Sequence, residues 1–230
     1  QMGIGSQMYA EEDEKRALTG AANYADDDLN WLFPNYISTL KSFNCPATKN
    51  MVINDYVNIL PGYQGPWAPN NTGVFLYTDR LHGNARYVKS LIDNAHGKEA
   101  TTGSSYEVAG FFCGANGSTV DATQNIRKTE RTALSHNYIN TPQGGGRYDF
   151  TGQRASPSDV WIIYDEDDNW VIGDTDAAIG RKNGDFPDVG DNHGADGGNV
   201  VFGDGHAEWV TRKKYVGSFI RGTDENHLLA

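Results

Sequence analysis

The clearest structural signal in this sequence lies at residues 199–210, which read NVVFGDGHAEWV. Two short runs of β-branched and aromatic residues flank a central pair, Asp204 and Gly205. An Asp-Gly pair between two such runs is the strongest short-range signal for a β-hairpin. We therefore predict two antiparallel strands, with a tight turn between them at Asp204 and Gly205.

Further strands are predicted ahead of this hairpin. Short apolar runs of strand length alternate there with glycine, asparagine and proline. These runs are residues 51–53, 74–77, 106–112 and 160–164. The sequence has no internal repeat, so we predict one antiparallel sheet rather than a repeat architecture.

Helices are predicted mainly at the front of the chain. The helical spacing of Ile4 and Met8 predicts a helix within residues 1–17. Acidic residues ahead of residue 29 predict a second short helix that ends near Pro34, and residues 85–95 have the pattern of a third. The predicted fold class is therefore α+β, with helices packed on an antiparallel sheet.

The composition excludes several classes of protein. The 230 residues include 27 glycines and 11% aromatic residues, and their net charge is −11. An acidic chain lacks the basic face that a general nucleic-acid binder needs. The sequence contains no run of about 18 apolar residues, so no membrane-spanning helix is predicted within it. The aromatic content also argues against an intrinsically disordered chain.

Most of the negative charge lies in residues 165–196, whose ten acidic and two basic residues supply eight of the eleven net negative charges. The glycines of this segment favour a loop. Calcium binds carboxylate and carbonyl oxygens in such loops, and the candidate calcium ligands are Asp165, Asp167, Asn169, Asp174 and Asp176. The spacing of the first three resembles an EF-hand loop, but Trp170 stands where that loop needs glycine. The alternative is a solvated acidic surface.

A second candidate set contains His193, Asp204 and His206, which together have the chemistry of a transition-metal site or an acid–base pair. The turn alone explains Asp204, however, and we expect His193 to bond the backbone of its glycine-rich loop. The sequence contains no hydrolase elbow, zinc-protease, Walker A or dinucleotide-binding motif.

The two cysteines, Cys45 and Cys113, allow two interpretations. They form either one disulfide or two buried thiols. A disulfide would close a loop of about 70 residues and would stabilise the fold by roughly 4 kcal/mol. No C-x2-C pair is present, so the spacing predicts no structural zinc site.

The C-terminal stretch resembles the signature of the prepilin-type, H-x9-DG-containing proteins, which are pseudopilin-like relatives of type II secretion pseudopilins and type IV pilins. The matching residues are His193, Asn199, Phe202, Asp204, Gly205 and His206. Ten residues separate His193 from Asp204, one more than in the family pattern.

Three further parts of the chain resemble the same family in the expected order. Residues 1–10 resemble the end of the pilin helix, and residues 43–46 resemble a Phe-x-Cys-Pro segment. Residues 135–140, followed by residues 156–165, resemble the segments that precede the hairpin.

The resemblance implies one pilin-like domain over residues 1–230, with a helical part at residues 1–45 and a variable insertion at residues 50–130. Residues 131–230 would then hold the sheet, the acidic loop at 165–196 and the hairpin at 199–210. It also implies a hydrophobic helix ahead of residue 1, absent from this chain, as the only membrane contact.

The resemblance further implies a non-catalytic structural subunit. Such a subunit assembles with itself or with other pilin-like subunits into a filament or secretion pseudopilus. Its location is extracellular or at the cell surface, and before assembly it faces the periplasm at the inner membrane. Some type II secretion pseudopilins carry calcium in a C-terminal loop, which favours calcium in the acidic segment.

Two alternatives follow from the residues themselves. Five tryptophans and twelve tyrosines in an acidic, β-rich chain also suit a secreted glycan-binding module or hydrolase, because sugars pack on aromatic rings. A metalloenzyme that uses His193 and His206 is the other alternative, and stoichiometric zinc or iron would distinguish it.

Overall fold

In the computed structural model, helices pack against a small antiparallel sheet. The structure describes residues 1–21, 28–54, 56–58, 86–91, 101–114, 125–140, 148–165, 187 and 191–225. The α-helices are α1 (Met2–Glu12), α2 (Glu130–Ser135) and α3 (Arg212–Thr223). The strands are β1 (Tyr56–Asn58), β2 (Arg86–Val88), β3 (Tyr106–Val108), β4 (Phe111–Phe112), β5 (Ile126–Arg127), β6 (Trp161–Asp165), β7 (Gly197–Phe202) and β8 (Ala207–Thr211). Short 3-10 helices lie at Leu40–Phe43, Lys89–Leu91 and Gly194–Asp196.

The central sheet has four antiparallel strands in the order β3-β6-β7-β8, and the pairs β1-β2 and β4-β5 form two smaller sheets. The predicted hairpin is confirmed, because β7 and β8 pair from Gly197↔Thr211 to Val201↔Ala207. The α+β class, with an N-terminal helix and an antiparallel sheet, is confirmed as well.

Strand β6 is buried along its whole length, and its side chains belong to three different apolar clusters. A register shift between Trp161 and Ile163 directs neighbouring side chains to different clusters. Trp161 packs on α3, with its ring 5.3 Å from that of Phe219. Ile163 instead belongs to the apolar cluster that contains Tyr9 of α1.

Helix α1 contacts the turn of the hairpin at very short range. The Gln7 side chain donates from Nε2 to the carbonyl of Gly203 at 3.1 Å. A Cβ atom added to Gly3 would lie 2.2 Å from the carbonyl oxygen of Gly205. Gly205 itself has a φ of 87°, which favours glycine. Glycine at position 3 therefore permits the contact between α1 and the turn.

We expect Gly3→Ala to lower the free energy of unfolding by about 1–3 kcal/mol, because the added methyl group overlaps backbone that cannot rotate away. Gly5→Ala in the same helix is the matched control. Its Cβ would come closest to the movable Leu32 Cδ2, at 2.9 Å, and would lie at ordinary contact distances of 3.4 and 3.5 Å from Tyr36 and Ile37, so its effect should be smaller. Urea denaturation of both variants measures the difference, and equal losses would contradict the prediction.

Two helix predictions were wrong. Residues 30–36 form turns instead of a helix, because side chains bond locally there: the Asp28 carboxylate accepts from the backbone N–H of Asn30 at 2.7 Å. The Asn30 side chain then pairs with the backbone of Val88, donating to its carbonyl and accepting from its N–H. The predicted helix at 85–95 is strand β2 and a 3-10 turn where the structure describes it.

The other strand predictions had mixed outcomes. Residues 160–164 are confirmed as β6, displaced by one residue, whereas residues 106–112 are divided between β3 and β4. Residues 51–53 contribute only an isolated bridge from Met51 to Thr102. Residues 74–77 lie outside the described residues. Within the described part of the chain, no helix is both long and apolar enough to cross a membrane.

Candidate functional site

Three chemically reactive side chains meet at the end of strand β6. They are Cys45, Asp165 and His193, and their donor atoms all lie within 4.8 Å of one another. The distance from Cys45 Sγ to His193 Nε2 is 3.2 Å. The same Nε2 lies 3.3 Å from Asp165 Oδ2. We call these three residues the Cys-Asp-His cluster.

Ser105, next to the start of β3, holds two parts of the cluster in place. Its hydroxyl accepts from the backbone N–H of Cys45 at 2.8 Å. Its carbonyl accepts from the Asn192 side chain at 2.6 Å, which fixes the residue before His193. The His193 ring also meets the ring of Trp209 edge-on, at 5.0 Å between centroids. The cluster is thus held by packing and backbone contacts.

Asn199 orients the carboxylate of Asp165. Its backbone N–H and its side-chain amide both donate to Asp165 Oδ2, at 2.6 and 2.9 Å. The other oxygen, Oδ1, is buried and has no hydrogen-bond partner among the described residues. Asp165 as a whole is only 5% exposed. A buried carboxylate oxygen without a partner destabilises the fold, so such atoms are rare in native proteins.

Burial disfavours negative charge in the cluster. It raises the pKa of the Asp165 carboxyl group, although the hydrogen bonds from Asn199 and the nearby His193 oppose that shift. Burial also raises the pKa of the Cys45 thiol, and the charge of Asp165 adds to this effect. The pKa of Tyr106 beside them is raised by burial and by the charge of Asp165. The cluster therefore needs a compensating positive charge to hold two anions.

The geometry differs from that of a nucleophilic triad. In such a triad the nucleophile and the carboxylate contact opposite nitrogens of the histidine ring, so that the proton crosses the ring. Here Cys45 and Asp165 both approach the same atom, His193 Nε2. The three donor atoms surround one common position, as the ligands of a metal ion do.

The second predicted set is separated by the structure. His206 Nδ1 pairs with Asp204 Oδ1 at 2.5 Å within the turn, and its ring stacks on Phe202. His193 instead lies beside the Asn199↔Trp209 pair, roughly 10 Å along the hairpin at about 3.3 Å per residue. Its side chain bonds other side chains, rather than backbone as expected. In the turn itself, Gly205 lies against Gly3 and Gln7 of α1, and the carbonyl of Gly203 accepts from Gln7.

The calcium candidates are only partly described. Asp165 belongs to β6 and is bonded to Asn199, whereas Asp167, Asn169, Asp174 and Asp176 lie outside the described residues. Cys45 and Cys113 are both buried and form no disulfide, so in this structure the two cysteines are buried thiols. The backbone N–H of Cys113 donates to the carbonyl of Thr223 at 2.8 Å.

Sequence spacing could not reveal the Cys-Asp-His cluster. Cys45 and His193 are 148 residues apart, and no short motif connects them. Both do occur in segments that resemble the same family, which was the one available signal.

No protein-family model, curated protein or solved structure matches this chain. The function therefore has to be argued from the chemistry and the surfaces of the molecule itself.

Proposed function

We propose that this chain is a non-catalytic structural subunit with a pilin-like architecture. It assembles with copies of itself, or with related pilin-like subunits, into an extracellular or cell-surface filament or a secretion pseudopilus. The observation that carries the proposal is the two-sided character of α1. One face packs on the sheet and hairpin, while the other presents Ile4 and Met8, which are 67% and 47% exposed.

The buried residues of α1 lie on the side opposite Ile4 and Met8. Gly3, Gly5, Ser6, Tyr9 and Ala10 are all buried. Ile4 and Met8 are four residues apart, so they are neighbours on the opposite side of the helix. An exposed apolar pair of this kind fits a helix that packs against another subunit. A contact between two different surfaces of the same protein can propagate into a filament.

The Cys-Asp-His cluster also favours a non-catalytic role. Cys45 is only 3% exposed, so its sulfur has little access to a substrate, and the cluster lacks the geometry of a nucleophile with its base. The residues of the family-like turn have structural roles as well. Gly205 fits against α1, and His206 packs on Phe202.

Self-association of the chain tests the proposal. We expect the wild type to form concentration-dependent assemblies, measured by sedimentation velocity and seen by negative-stain electron microscopy. The double variant Ile4→Asp with Met8→Asp should lower the association constant at least about tenfold, because burying one large apolar side chain contributes roughly 1.5–3 kcal/mol.

Met51→Asp is the matched control, since Met51 is also an exposed apolar residue, at 58%, but lies outside α1. It should assemble like the wild type. A wild-type chain that stays monomeric at all concentrations, or a double variant that assembles normally, would contradict the proposal.

A further inference from the structure

We propose that Cys45, Asp165 and His193 bind one divalent transition-metal ion of the zinc class. This site is independent of the assembly proposed above, and it differs from the oxygen-only calcium site that the acidic segment suggests. The ion would join three parts of the chain: the segment after the 3-10 helix Leu40–Phe43, the end of β6 and the loop before β7.

The distances fit a small, four-coordinate ion. Zinc bonds are about 2.3 Å long to thiolate sulfur and about 2.0–2.1 Å to imidazole nitrogen or carboxylate oxygen. Tetrahedral angles then place the ligand atoms about 3.3–3.6 Å apart. The separations of 3.2 Å for sulfur and nitrogen and 3.3 Å for nitrogen and oxygen are close to this range. The third separation, from Cys45 Sγ to the Asp165 carboxylate, is at most 4.8 Å, and a tetrahedral ion would set it to about 3.6 Å.

The hydrogen bonding of the cluster is incomplete without a cation. His193 Nε2 can have one proton or one lone pair, yet three groups lie within 3.3 Å of it: Cys45 Sγ, Asp165 Oδ2 and the Asn199 amide nitrogen. Independently, Asp165 Oδ1 is buried without a hydrogen-bond partner in the described part of the chain. One cation between the three donors would accept the lone pair of His193 Nε2 and would balance the negative charges of the Cys45 thiolate and the Asp165 carboxylate.

The donor types select the class of metal. Calcium and magnesium prefer sets made only of oxygen, whereas a thiolate with an imidazole favours zinc and its first-row neighbours. Asn199 acts as an outer partner, because it fixes the orientation of the Asp165 carboxylate by two hydrogen bonds. His193 is 24% exposed, which gives the ion a route from solvent. Three protein ligands leave a fourth position for water.

Cobalt(II) is the probe that reads out both the ligand set and the geometry. We expect the full chain to bind one equivalent of Co²⁺, with a thiolate-to-metal charge-transfer band and the intense visible absorption of a tetrahedral site. Zinc should displace it. Cys45→Ser should lose the charge-transfer band, and His193→Gln should weaken binding at least about 100-fold, more than loss of an outer partner.

Two variants provide matched controls. Cys113→Ser removes the other buried thiol, and His206→Gln removes the histidine of the turn. Both should keep the cobalt spectrum of the wild type. Circular dichroism establishes that each variant is folded, and the partly exposed His193 makes His193→Gln the variant least sensitive to misfolding.

Three results would overturn the proposal. The first is a wild-type chain without the charge-transfer band at saturating Co²⁺. The second is a folded His193→Gln variant with unchanged affinity. The third is loss of the band in Cys113→Ser but not in Cys45→Ser.

Discussion

Asp224→Ala is expected to lower the free energy of unfolding by about 3–5 kcal/mol, because it removes the acceptor of three hydrogen bonds, and each buried donor left without a partner costs about 1–3 kcal/mol. Asp224 follows α3 and is almost completely buried. Its Oδ2 accepts from His136 Nε2 at 2.7 Å and from the backbone N–H of Ile139 at 3.0 Å. Its Oδ1 accepts from the N–H of Asn140 at 3.2 Å. Alanine would leave the His136 and Asn140 donors buried without this acceptor, and the part-buried N–H of Ile139 would lose it as well.

The backbone of Asp224 adds to this loss, because its φ of 57° lies in the left-handed region, which alanine adopts poorly. Asp224→Asn separates the two effects. Asparagine tolerates this conformation and still offers one acceptor oxygen, so we expect it to lose less stability than alanine. Guanidinium denaturation at neutral pH compares the two variants.

Asp159→Ala is the matched control for an acidic residue in an ion pair. Asp159 pairs with Arg221 at 3.4 Å, but both side chains are more than a third exposed. We expect its loss to stay within about 0.5 kcal/mol, as for other surface pairs. A loss below about 1 kcal/mol for Asp224→Ala would show that His136 and the two backbone groups find other partners.

The features that the sequence predicted well depend on neighbouring residues. The hairpin follows from Asp204 and Gly205 between two β-branched and aromatic runs, although the observed register makes Gly203, Asp204 and Gly205 a three-residue loop rather than a two-residue turn. Helix α1 follows from the spacing of its side chains. Helix α3 was missed, although Tyr215, Val216, Phe219 and Ile220 form an apolar stripe with helical spacing. That stripe was available in the sequence.

The features that the sequence did not predict depend on distant residues. Around residue 31, where a helix was expected, the local bond between Asp28 and Asn30 is joined by a bond between the Asn30 side chain and the backbone of Val88, which is 58 residues away. The Cys-Asp-His cluster forms because Ser105 positions both Cys45 and Asn192. Periodicity and motif spacing contain no information about such contacts, since they describe only residues close together in the chain.

Lys128 is expected to make this protein more stable as the pH rises from about 7 to 8.5. Its side chain is fully buried, and its Nζ donates to the carbonyls of Ala109 and Trp161, at 2.6 and 2.9 Å. Burial lowers the pKa of Lys128 from 10.5 to about 7, although nearby Cys113 and Glu225 oppose the shift. Charging this amine in the folded state is therefore costly.

The direction of the pH effect follows from proton binding. Below about pH 7, the amine binds a proton in both the folded and the unfolded chain. Above it, only the unfolded chain keeps that proton, so stability rises with pH. The slope approaches about 1.4 kcal/mol per pH unit for one group, and we expect a gain of about 1 kcal/mol between about pH 7.5 and 8.5.

Lys128→Met tests this assignment by urea denaturation across the same pH range. The variant loses two hydrogen bonds to buried carbonyls, which shifts its stability by a constant amount at every pH. It also loses the titrating group, so its stability should rise with pH less steeply than that of the wild type. Lys213→Met, which changes an exposed lysine of α3, should keep the wild-type slope. The difference between the slopes of the wild type and Lys128→Met therefore belongs to Lys128 and to the two groups that interact with it, Cys113 and Glu225. Parallel curves for Lys128→Met and the wild type would mean that this buried amine stays protonated in the folded state throughout the range, as it does in the unfolded chain.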